Sequence, residues 1–277
     1  MSDNALDTAG SPLGHATGYP DTYDATQLFA VSRAPQRAAL GLAGALPFAG
    51  SDVWTAYELT WLDPRGKPQI AVATFDVPAT TPSIVESKSM KLYLGSFAQS
   101  TCASAETVAA TIERDLAAAT GAPVRVALRA TASFRDERLA ELGGTSLDAL
   151  PIDCATYAVE PALLAVSGET VEEALATDLF RSVCPVTGQP DIASVRIDYR
   201  GPRIDRPSLL RYFVSYRRHP GFHEHCVERM FVDIAARCRP ERLTVHARFT
   251  RRGGIDINPF RTNAGAPVPA NVRTARQ

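Results

Sequence analysis

Two stretches, "ESKSMKLYLGSF" (residues 86–97) and "DRPSLLRYFVSY" (residues 205–216), decide how this chain is read. Laid over one another without gaps, at an offset of 119 residues, Ser89 falls on Ser208, Tyr93 on Tyr212 and Ser96 on Ser215. The same offset carries Val108 onto Val227, Ile112 onto Phe231, Val126 onto Val245 and Arg129 onto Arg248. Chance can match two amphipathic helices. One offset held across two helices and a strand points to an internal duplication.

Each copy acquires flanks from the surrounding pattern. "WTAYELTWLD" and "KPQIAVATFDVP" read as two strands joined by the turn "DPRG", and "SKSMKLYLGSFAQ" as a helix. A second helix, "SAETVAATIERDLAAATG", has Ser104 as its N-cap, Val108, Ile112 and Leu116 on one stripe, and Gly121 just past its end. "PVRVALRA" alternates like a strand and "IDCATYAVE" reads as another. The order is strand, strand, helix, helix, strand, strand. The second half repeats it with the strand "ASVRIDYRG", the helices "PSLLRYFVSYRRH" and "FHEHCVERMFVDIAARC", and the strands "RLTVHARFT" and "GIDINPF". The expected class is α+β, with an extended, weakly structured arm over residues 1–50, one module over 51–165 and a second over 166–277.

Composition sets the outer limits. A 45% hydrophobic content argues for a real core. With 29 basic and 30 acidic residues the net charge is −1, so no global field recruits nucleic acid or an anionic membrane. No stretch approaches the ~18 apolar residues of a membrane helix, and the opening residues carry no basic-then-apolar leader pattern, so no secretory signal is expected. Five cysteines (Cys102, Cys154, Cys184, Cys226, Cys238), odd in number and without a C-x-x-C, read as reduced thiols of a cytoplasmic protein.

The halves also differ. Glu86 and Lys88 meet Asp205 and Pro207, while His223 and Glu224 meet Ser104 and Ala105. Such complementary loss is expected if the two copies contribute different polar groups to one composite site.

Four stretches could carry chemistry. In "SVCPVTGQPD" (182–191) a thiol, Cys184, sits in a loop stiffened by Pro185, Gly188 and Pro190, with Asp191 seven residues on. It is either a fixed nucleophile with an acid–base partner, or a turn cysteine packed as a small hydrophobe with Asp191 capping the next segment. In "ESKSMKLY", Lys88 and Lys91 share one helix face near its start, which suits either a phosphate or solvent. In "FHEHCVERMF", Val227, Met230, Phe231, Ile234 and Cys238 form the buried stripe, leaving His223 and Glu224 at the helix start. A carboxylate there can accept paired N–H bonds from a purine-like ring. His223, His225 and Cys226 do not have a standard zinc spacing, and H-E-x-x-H is absent, so no metal is expected. "RRGGIDINPF" is either an ordinary hairpin or a phosphate-binding turn. Neither G-x-G-x-x-G nor G-x-x-x-x-G-K-[ST] occurs, so a dinucleotide would bind outside the Rossmann and P-loop frames.

Taken together, "VESKSMKLYLGSF", "FRSVCPVTGQPD", "FHEHCVERMF" and "RRGGIDINPFRTN" strongly resemble the NADPH-dependent nitrile reductases of queuosine biosynthesis, the 7-cyano-7-deazaguanine reductases, in their two-module form. The resemblance runs from "SPLGHATGYPDTYDATQLFAVSR" to "NPFRTN" and is weakest from Gly121 to Thr177. It implies tandem tunnelling-fold modules, each an antiparallel sheet with two helices on one face. It also implies reduction of 7-cyano-7-deazaguanine to the primary amine by two NADPH, without a metal. By the same resemblance Cys184 forms a covalent thioimide and Asp191 donates a proton. Val85, Glu86, Ser87, His223 and Glu224 contact the deazaguanine, and Ser87, Lys88, Arg252 and Gly253 contact NADPH. A homodimer is implied, with no membrane and no direct nucleic-acid partner. Two rivals stay open: a related tunnelling-fold enzyme of pterin or purine chemistry such as a cyclohydrolase, distinguished by zinc, and a non-catalytic purine- or RNA-binding module. The second would have no use for a positioned thiol.

Overall fold

The computed structural model describes residues 10–12 and 18–277; residues 1–9 and 13–17 of the expected arm lie outside the described residues. Two compact units divide the chain. One comprises Met1–Leu46, Asp52–Glu137 and Arg251–Asp256, the other Pro47–Ser51, Arg138–Thr250 and Ile257–Gln277. Both are mixed α+β. No described helix is long and apolar enough to cross a membrane.

The first unit contains β1 (Ala30–Ser32), α1 (Ala34–Ala39), most of β2 (Ala49–Leu62), β3 (Pro68–Pro78), β4 (Ser83–Val85), α2 (Ser87–Gly95), α3 (Ala105–Thr120) and β5 (Arg125–Ala130). Its larger sheet runs β5-β3-β2, with Ala71 opposite Ala130 and Asp76 opposite Arg125 in the antiparallel β3–β5 pair. The β2–β3 turn closes where "DPRG" implies, Gly66 N–H donating to Asp63 O at 2.8 Å. The Ser104 hydroxyl caps α3 by accepting from Thr107 N–H, and Gly121 ends it in the left-handed region at φ 81°. Val108, Ile112 and Leu116 are buried, as their spacing predicts.

The second unit contains β6 (Thr145–Ser146), β7 (Val166–Val183), β8 (Pro190–Ile204), α4 (Arg206–Ser215), α5 (His223–Cys238), β9 (Arg242–Phe249) and most of β10 (Ile255–Thr262). The strand order is β10-β9-β8-β7-β6, antiparallel except for β6–β7. Alternation along β9 separates two environments. Leu243, Val245, Ala247 and Phe249 are core, whereas Arg242, Thr244, His246 and Arg248 line a cavity of about 730 Å³.

Three sequence expectations are corrected. "IDCATYAVE" forms no strand; the segment is irregular up to the 3-10 turn Pro161–Leu163. The longest strand, β7, has no counterpart among the expected strands. Its outer stretch, Val166–Glu172, is largely exposed and carries Gly168, so it lacks the alternation of a half-buried strand. Within residues 18–50 the expected weakly structured arm holds a 3-10 turn (Ala25–Gln27), β1 and α1. It is also fastened: β1 pairs with β4, and Arg33 meets Asp52 at 2.5 Å with both side chains buried.

The duplication extends to hydrogen bonds. Ser89 and Ser208 each donate a hydroxyl at 2.7 Å to the carbonyl of their helix N-cap, Glu86 or Asp205. Ser89 Oγ accepts from Phe29 N–H at 3.0 Å, and Ser208 Oγ from Ala165 N–H at 3.1 Å. Ser96 and Ser215 likewise accept from Asp24 N–H and Glu160 N–H. Tyr93 donates to Asp115, and Tyr212 to Asp233. The repeated structure of the second half therefore begins at Glu160, whose carboxylate caps a 3-10 turn as Asp24 does in the first.

Gly121→Ala tests the α3 terminus. The left-handed backbone costs an alanine about 1–2 kcal/mol, and its Cβ would lie 2.6 Å from Pro82 Cγ. The urea midpoint should fall with the m-value unchanged.

Candidate active site

Cys184 opens the loop that joins β7 to β8. The two strands pair as far as Ser182–Asp191 and Val183–Pro190. Beyond that, Cys184 N–H donates to Gln189 O at 2.8 Å and Gly188 N–H to Cys184 O at 3.0 Å. Gly188, at φ 67°, permits the reversal. The thiol and the Asp191 carboxyl are both buried. The base of the loop is pinned from a third side. Val183 N–H donates to His219 O at 3.0 Å, and Gly221 N–H to Val183 O at 3.2 Å.

Two residues after Gly221 the chain enters α5, bringing His223 to Asp191, with Nε2 3.4 Å from Oδ1. The imidazole lies flat on Phe249, with ring centroids 3.8 Å apart and planes 3° from parallel. Phe249 is in turn met edge-on by Phe180. His223 Nδ1 is buried and has no hydrogen-bond partner among the described residues. Such an atom is available to a ligand or to water. Glu224 is also buried, so neither side chain at the helix start simply faces solvent. Val227, Met230, Phe231, Ile234 and Cys238 form the buried stripe as expected, and Cys226 packs inward. Burial pushes the Cys226 thiol up to about 12 and that of Cys238 up to about 11, so both stay protonated. One turn past Glu224, Glu228 accepts from Arg261 Nη2 at 2.9 Å, tying α5 to β10 through a fully buried ion pair.

In the first unit, Val85 ends β4 and Glu86 caps α2. The Glu86 carboxylate is fully buried and accepts from Lys88 N–H at 2.7 Å and Ser89 N–H at 2.9 Å. Ser87 Oγ stands 3.4 Å from its Oε1. Those two amides are thus engaged, and the anion-attracting part of α2 is its ammonium groups. Lys88 Nζ donates to Pro12 O at 2.9 Å. "RRGG" is a tight hairpin turn, Arg252 N–H donating to Ile255 O, with Gly253 at φ 56° and Gly254 at φ 75°. A Cβ on Gly253 would lie 3.0 Å from Lys91 Cδ and Cε, so the turn and the lysine face of α2 are neighbours. Arg251 covers the ring of Tyr57.

Sequence reasoning missed Phe249 and the His219–Gly221 strap. The phase of "RLTVHARFT" puts Phe249 on the core side of β9, which is the signal that could have found it. The strap works through backbone groups, which no residue type betrays. Among the described residues, no His, Cys, Asp and Glu side chains are grouped to hold a metal ion.

These features frame two related α+β units, one with the buried thiol, carboxylate and imidazole, the other with a lysine-flanked glycine turn. Family models agree with that layout. "Nitrile reductase, 7-cyano-7-deazaguanine-reductase N-term" matches residues 19–128, and "QueF-like protein" matches residues 190–267. The chain is 58% identical over 269 residues, 96% of its length, to the NADPH-dependent 7-cyano-7-deazaguanine reductase of Burkholderia pseudomallei (strain 1106a), covering 98% of that protein. The enzymes of the same name from Burkholderia mallei (strain SAVP1) and Burkholderia ambifaria (strain MC40-6) are 57% and 58% identical, again over 96% of this chain and 98% of theirs. The chain belongs to the family of NADPH-dependent 7-cyano-7-deazaguanine reductases.

Glu228→Gln should lower stability by about 3–5 kcal/mol, because it strands a buried guanidinium. The double change Arg261→Met with Glu228→Leu should restore most of the loss, as read by urea midpoints.

Proposed function

We propose that this enzyme reduces 7-cyano-7-deazaguanine to 7-aminomethyl-7-deazaguanine with NADPH, through a covalent thioimide on Cys184. Family membership supports the overall reduction. One observation supports the covalent route: a buried thiol and a buried carboxyl at the closed end of one hairpin, beside an imidazole with an unsatisfied nitrogen.

A nitrile carbon is a poor hydride acceptor, and the protein's task is to make it a better one. The Cys184 thiol proton passes to Asp191 as sulfur bonds to the nitrile carbon, and Asp191 delivers the proton to nitrogen. The triple bond becomes a thioimide C=N. Hydride and a proton convert this to a thiohemiaminal, which expels the thiolate to leave an imine. A second hydride and proton give the amine. The pinned loop makes the sulfur attack effectively unimolecular. Val85, Glu86, Ser87, His223 and Glu224 are assigned to the deazaguanine, the two carboxylates accepting from its ring N–H and amino groups.

Bound NADPH supplies the two hydrides, one per molecule. Ser87, Lys88, Arg252 and Gly253 would hold it. The fit rests on the Arg252–Gly253 turn, where a side chain on Gly253 would meet Lys91, and on Lys88, which precedes Lys91 by three residues on α2. The wider reading is a cytoplasmic homodimer of tunnelling-fold modules serving queuosine formation in tRNA. Its support is the motif resemblance together with the near full-length likeness to the Burkholderia enzymes.

Protein mixed with the nitrile in the absence of NADPH should gain one substrate mass on the peptide holding Cys184. Asp191→Asn should form that adduct ~100-fold more slowly or worse, and an equal yield from Cys184→Ala would overturn the mechanism. Separately, Lys88→Ala and Arg252→Ala should raise the KM for NADPH with nitrile affinity nearly unchanged. Equal weakening of both ligands would reassign those cations.

A further inference from the structure

The stacked pair His223–Phe249 sits at the end of β9, where a residue outside every motif above makes contact. β10 pairs with β9 through Thr262–Thr244, Arg261–Val245 and Phe260–His246. The next residue along β10 is Pro259, which has no N–H to continue a ladder. Past that point the side-chain amide of Gln277 bridges the strands. Its Nε2 donates to Phe249 O at 2.9 Å and to Asn258 Oδ1 at 2.7 Å. Its Oε1 accepts from Arg248 Nε at 2.7 Å and Thr274 N–H at 3.2 Å. Gln277 is 6% exposed, and both donors and both acceptor positions of the amide are used.

The end of β9 held in this way bears on two residues of the candidate site, His223 and Asp191. Phe249 supplies the platform for His223, and the next residue, Thr250, donates its N–H to Ile192 O at 2.9 Å, beside Asp191. We propose that Gln277 is a positioning residue for the reaction: by fixing the end of β9 it sets the plane and depth of the His223 ring next to Asp191. The proposal rests on the reductase reading for its consequence, though not for its geometry. Gln277 touches no reacting atom. Its effect passes through Phe249.

The informative variant is Gln277→Glu, which keeps acceptors for Arg248 and Thr274 but turns an oxygen on the carbonyl of Phe249. Two readouts are needed. The carbon-bound ring protons of His223, lying over Phe249, are shifted upfield by its ring current, and in Gln277→Glu they should move downfield by tenths of a part per million. In steady state, kcat/KM for the nitrile should fall about ten-fold or more, while KM for NADPH stays within about two-fold of wild type. Phe249→Leu should show the same kinetic loss, and the double variant little more than either single one. Unmoved His223 resonances in folded Gln277→Glu would overturn the proposal, as would moved resonances with wild-type turnover, or additive losses. If Gln277→Glu fails to fold, Gln277→Met, similar in length but unable to hydrogen-bond, takes its place with the same readouts. A wild-type protein that fails to oxidise NADPH with the nitrile would instead refute the reductase reading, and the His223 resonances would still decide the Gln277–Phe249 link.

Discussion

The parallel bridge at Val183 is the constraint on which the candidate site depends. One residue gives its N–H to His219 O and its carbonyl to Gly221 N–H, and the chain on either side has almost no slack. Cys184 comes directly after Val183, and His223 stands two residues after Gly221. Asp191 comes from the same junction, opposite Ser182. Thiol, carboxyl and imidazole therefore inherit their positions from backbone pairing, the least deformable part of the structure, rather than from rotamers chosen one by one. Under the proposed mechanism, such rigidity makes the sulfur attack effectively unimolecular.

The scaffold beneath is one design used twice. In each half two serine hydroxyls receive the amides of an upstream segment, and a tyrosine donates to an aspartate of the next helix. The phenol that completes each cluster has a different origin. In the second half it is Tyr216, on the position equivalent to Phe97; in the first it comes from Tyr23, which donates to Asp115. The chemistry was maintained while the residue supplying it moved. Burial raises Tyr212 and Tyr216 well above the ordinary phenol range, so these two phenols stay protonated.

Much of this was legible in the sequence, for identifiable reasons. A one-sided apolar stripe announces a helix locally, with a serine cap added in α3, which is why α3 and α5 fall where their patterns put them. The Cys184 loop was legible because proline and glycine restrict backbone torsions directly. β7 was not: its exposed outer stretch lacks alternation, and it is pairing with β8, through two register shifts, that makes it a strand. "IDCATYAVE" is not a strand, because no described strand pairs with it. Phe249 and Gln277 act through a stack and an amide bridge between segments far apart in sequence, so residue type alone could not single them out.

The helix-start carboxylates show that duplicated positions need not be equally constrained. Asp205 caps α4 by accepting from Ser208 N–H, a task that serine, threonine or asparagine performs almost as well. Glu86 caps α2 with both of its oxygens from deep burial, using one methylene more. Position 205 can therefore drift among several residues at small cost. Position 86 cannot, since a shorter side chain would leave its cavity unfilled and a neutral one would surrender charge-assisted bonds.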